Sequence, residues 1–148
     1  QRSRGVVLVE PSVVDASHNV VGYEPECAVD GDEQTFWLVP GGQRMEMMSR
    51  DKWLVFDLGD VRVVRALSLL GEVNSFAPAR VLLDSAPTAD GPWRRVDHFR
   101  GLGSLRWQRV NLAERPATRF FRLYIRREGH ASFRHAVHGC LFHCDKES

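Results

Sequence analysis

Trp53-Leu54-Val55-Phe56-Asp57-Leu58-Gly59-Asp60 alternates along its whole length. In an extended chain Leu54, Phe56 and Leu58 fall on one face and Trp53, Val55 and Asp57 on the other. Gly59-Asp60 then reads as a turn. The same period of two returns in Arg119–Arg127, where Phe121, Leu123 and Ile125 alternate with Arg122, Tyr124 and Arg126. That second segment predicts a half-buried strand with a polar outer face. Working outward, short apolar runs are punctuated by turn residues at Val6–Val9, Val61–Gly71, Ala79–Ser85, Trp93–Phe99, Leu105–Leu112 and Ala136–Cys144. About eight strands at this spacing predict an all-β sandwich or barrel. No long segment has a helical period, and only Pro25–Val29, led by a proline, reads as a helical turn.

Composition bounds the function. The chain has 148 residues, 43% of them apolar and 26% charged, which suits one domain with one core. With 20 basic residues against 19 acidic, it lacks the surplus of positive charge that phosphate binding wants, and neither nucleic acid nor membrane lipid is expected as a partner. The basic residues are Arg except for Lys52 and Lys146. The start, Gln1-Arg2-Ser3-Arg4, has no Met and no apolar leader, so residues 1–148 read as a single domain excised or processed from a larger protein, expected to be monomeric. An odd set of cysteines, Cys27, Cys140 and Cys144, allows one internal bridge at most. With no Asn-x-Ser/Thr acceptor present, this leans toward reduced thiols but leaves localisation open between the cell surface and an intracellular assembly. No Gly-x-Ser-x-Gly, His-Glu-x-x-His or phosphate-loop motif is present, and no enzyme is expected.

Four motifs in order carry a resemblance. They are Ala28-Val29-Asp30-Gly31-Asp32-Glu33-Gln34-Thr35-Phe36-Trp37, Trp53–Gly59, Pro78–Ser85 followed by Asp90-Gly91-Pro92-Trp93, and Thr118-Arg119-Phe120-Phe121-Arg122-Leu123. Together they resemble the discoidin, or coagulation factor 5/8 type C, domains of the galactose-binding-domain-like superfamily. The resemblance covers roughly residues 25–144. It implies an eight-stranded antiparallel jelly-roll barrel that binds its ligand with loops at one end and does no catalysis. It also implies that Cys140 stands where calcium-holding relatives place a Glu, and that Cys27 lies near Cys140.

The candidate sites follow. Asp30, Asp32 and Thr35 offer hard oxygens for a structural calcium; otherwise Asp30 caps a tight Asp-Gly turn. No cofactor is required. His135, His138, Cys140, His143 and Cys144 are the densest soft-ligand group, with His138, Cys140 and Cys144 on one strand face. A regular strand separates Cys140 and Cys144 by about 13 Å, too far for one zinc. Loop Leu38–Asp51 carries Arg44, Met45, Met47, Met48 and Arg50, either as an adaptable binding surface or as a plug for the barrel end. By family topology three more loops join it. They carry Asn74, Phe76 and the adjoining Arg80; Arg100 and Leu102; and His130, Phe133 and Arg134. Trp37, Trp53, Trp93 and Trp107 read as core. Two functions remain: a module recognising carbohydrate on a secreted or surface protein, with cell adhesion as its setting, or a protein-docking module of an intracellular assembly.

Overall fold

A computed structural model describes residues 5–39, 52–73, 79–126 and 135–146. Ten strands make one hydrogen-bonded network: β1 Val6–Val9, β2 Ser12–Ala16, β3 Trp37–Val39, β4 Lys52–Val73, β5 Ala79–Ala86, β6 Arg94–Gly101, β7 Gly103–Ser104, β8 Arg106–Asn111, β9 Ala117–Arg126 and β10 His135–Asp145. The helical turn is a short 3-10 helix, Pro25–Ala28. Among the described residues these strands pair with one another antiparallel, and a lone parallel bridge joins Gly71 to Leu105.

β4 organises the sandwich. The two strands expected on either side of Gly59-Asp60 are one 22-residue strand. Its first part pairs with β2 and β9, and β9 continues through β5 to β6. Its second part pairs with β8 and β10, and β10 also carries β1 and β3. The expected turn is instead a bulge in the β4–β9 ladder between Asp57 and Arg62, and the strand passes into the second sheet at Val63–Val64. Gly59 has φ +86, a backbone that favours glycine, and its N–H is held by Asp57 Oδ1 at 2.7 Å.

The core lies between the two sheets. Leu54, Phe56 and Leu58 meet Phe121, Leu123 and Ile125, as the two alternating segments predict. Phe142 stacks on Phe121 at 4.8 Å and meets Phe56 edge-on at 5.6 Å. Among several bulges, two shift the alternation of the core strands β4 and β10. One leaves Arg65 as an extra residue, ion-paired to Asp145, so that Val64 and Leu67 both reach the core. The other falls at His138, so that Val137 and Cys140 both point inward.

Candidate functional site

Strand ends define the site. His135, at the start of β10, pairs with Val39 at the end of β3 and with Val73 at the end of β4. Lys52, at the start of β4, pairs with Ile125 near the end of β9. Arg80 at the start of β5 pairs with Arg126 and Arg100. The strand ends flanking residues 40–51, 74–78 and 127–134 are thus gathered at one end. Arg44, Met45, Met47, Met48, Arg50, Asn74, Phe76, His130, Phe133 and Arg134 themselves lie outside the described residues.

The floor of that end is a buried polar pair joining the two sheets. Lys52 Nζ lies 3.0 Å from His135 Nδ1, and the two residues are 4% and 8% exposed. Burial pulls Lys52 down to about 8. Burial, and then the neighbouring ammonium, pull His135 down to about 3. At neutral pH the imidazole is therefore uncharged, and its Nδ1 accepts from the Lys52 ammonium. Neither residue was singled out in this role from sequence. The signal available was only that each borders a loop, since Lys52 opens a strand and His135 follows Arg134.

The other expected residues divide. Arg80 is half-buried, and its Nε is enclosed without a hydrogen-bond partner. Arg100 is exposed. Leu102, expected at an apolar loop tip, is instead 3% exposed and belongs to the core. It holds a φ of +63, rare for a branched side chain, and packs so close to Gly71 that a Cβ there would stand 2.5 Å from its Cδ2.

The Asp-Gly segment closes on itself. Asp30 Oδ1 accepts the Asp32 N–H at 3.0 Å, and Asp30 Oδ2 accepts the Thr35 hydroxyl. Asp32 Oδ1 accepts the Gln34 N–H at 2.9 Å, while Gly31 turns at φ +77. At the position expected of a calcium-binding Glu, Cys140 is a buried thiol whose pKa burial pushes up. These residues fit a capped turn better than a calcium shell, which wants about six to eight oxygens.

The soft-ligand group is dispersed. Among the described residues no cluster of three His, Cys, Asp or Glu side chains could hold a metal ion, and Cys27, Cys140 and Cys144 are unbridged. The bulge takes His138 off the face of Cys140. Its ring meets Phe36 at 4.8 Å, tilted by 32°, and its Nδ1 lies 2.8 Å from the Glu33 carbonyl. His143 Nε2 meets Ser68 Oγ at 2.6 Å. Burial and Arg109 lower the pKa of that imidazole, and among the described residues no carboxylate orients it as a base. Trp107, expected in the core, is 43% exposed and lies over Gly139, where a Cβ would stand 2.5 Å from its ring.

Two packed antiparallel sheets that share one long strand give the chain a discoidin-like jelly-roll fold. Three solved structures illustrate the likeness. A truncated AlyQ with CBM32 and alginate lyase domains matches at 16% identity and TM-score 0.74, over 98% of this chain but only 35% of that one. The CBM32 of AlyQ in complex with 4,5-unsaturated mannuronic acid matches at 14% identity and TM-score 0.70, over 92% and 97% of the two chains. The family 32 CBM of C. perfringens NanJ in complex with galactose matches at 12% identity and TM-score 0.69, over 93% and 99%. No family model and no curated protein matches the sequence.

Proposed function

We propose that this chain is a non-catalytic carbohydrate-binding module that takes its ligand at the end where β3, β4, β5, β9 and β10 converge. The observation that carries the reading is its likeness, over nearly the whole chain, to modules solved with galactose and with an unsaturated mannuronic acid. Residue chemistry agrees. A sugar site needs planar polar groups beside an apolar face. The sequence offers Arg44, Asn74, Arg80, His130 and Arg134 for the first, and Phe76 and Phe133 for the second. The protein-docking alternative gains nothing from these likenesses. A glycan array is the test. Selective capture of one glycan class supports the proposal, and an array without any hit, from protein that melts cooperatively, refutes it.

A further inference from the structure

Among the described residues β1, β6 and β8 each pair with one strand, so each has an open edge. An open edge invites another strand, and native chains blunt it with charge, proline or a bulge. β6 carries Arg94, Arg95, Asp97 and Arg100, and β8 carries Arg106 and Arg109. β1, Val6-Val7-Leu8-Val9, carries no charge and no proline, and it runs without a register shift. Its Val6, Val7 and Leu8 are nevertheless 44%, 37% and 55% exposed.

The ladder settles which backbone groups this edge offers. The Lys146 N–H donates to the Gly5 carbonyl at 2.8 Å, which makes Gly5–Lys146 a hydrogen-bonded pair. Such pairs alternate along antiparallel strands. Val7–Cys144 and Val9–Phe142 are then bonded pairs too, and the N–H and C=O groups of Val6 and Leu8 point to the open edge. Val7 and Val9 stand on the side of the core residues Cys144 and Phe142, so Val6 and Leu8 share the outer face. An antiparallel copy of β1 centred on Val7 sets Val6 of one chain opposite Leu8 of the other, twice. Both the open backbone groups and the exposed apolar side chains are matched. In sequence, Arg4 and Glu10 are equally far from Val7, so the same centre sets opposite charges across from one another at both ends. Centring on Val6 or Leu8 would instead put Leu8 opposite Arg4 or Val6 opposite Glu10.

We propose that two copies of this chain associate by pairing their β1 strands antiparallel about a two-fold axis at Val7. β1 lies along Phe142–Asp145, at the far end of β10 from His135, so the two loop ends stay uncovered and point in opposite directions. The paired stretch is short, and the dimer is therefore weak. The monomer expected from sequence is its dilute form. Sedimentation equilibrium of the 148-residue chain between about 10 µM and about 1 mM tests the pairing. The mean mass of the parent should rise with concentration toward that of two chains. Leu8→Lys should stay monomeric, and Val21→Lys, at an apolar site that is 91% exposed elsewhere, should match the parent. Arg4→Glu and Glu10→Arg should each raise the dissociation constant about fivefold or more, and the double exchange should restore it. All variants should melt like the parent when dilute. The proposal is overturned if the parent stays monomeric throughout, if Leu8→Lys dimerises like the parent, or if Val21→Lys loses as much. A double exchange no better than its single variants would overturn the register and with it the proposal. Growth beyond two chains would overturn it as well, because a two-fold pairing closes.

Discussion

At the scale of single residues, buried polar groups set the response to pH. His135 is held uncharged by burial and by Lys52, with its pKa lowered from 6.5 to about 3. An unfolded chain protonates this histidine below about pH 6.5, whereas the native state does not until about pH 3. The unfolded state therefore binds more protons across that window, and stability falls as pH falls through it. The expected loss from this one group between pH 7 and pH 5 is about 2 kcal/mol. Denaturant titrations of the parent and His135→Asn at both values check it, since the variant should lose that part of the slope. The Asp30 turn is a second residue-scale case. Sequence left it open between calcium and capping, because the two uses need the same oxygens. With those oxygens committed to Asp32, Gln34 and Thr35, calcium should raise the melting temperature by less than about 5 °C. A larger rise would show that the turn opens to a metal.

Strands are where the sequence was most and least legible. The alternation of Leu54, Phe56 and Leu58 and of Phe121, Leu123 and Ile125 marks the core face because one face is dry and the other wet. Phe56→Ala and Leu123→Ala should accordingly cost about 3–5 and 2–5 kcal/mol in denaturant titrations. Gly59 signals a turn equally well whether the chain reverses or only bulges and runs on in the same direction, so the single long β4 was hidden. Bulges at Arg65 and His138 shift the period by one residue, and nothing in a list of side chains announces them. That shift separates His138 from Cys140 and leaves Cys140 and Cys144 buried. Burial also raises both thiols, Cys144 to about 11. In native protein Cys27 should react fastest with a thiol reagent, and in denaturant without reductant all three should titrate. A denatured count of one would reveal a bridge.

Across the whole molecule, the order of four weak motifs was enough to announce the jelly roll, because each tolerates variation alone but their sequence along one sheet topology does not. The site was less legible. Leu102 looked like a loop tip and is core, Trp107 looked like core and is exposed, and the Lys52–His135 floor depends on strand ends meeting from two sheets. The central claim is that carbohydrate is taken at the loop end. Its most direct test is calorimetric titration of the strongest array glycan into the parent and into Arg44→Ala, Met47→Ala and Phe76→Ala. The account predicts that each substitution weakens binding about tenfold, roughly 1.4 kcal/mol, while folding stability shifts by less than about 1 kcal/mol. Three variants that bind the glycan as tightly as the parent would contradict it.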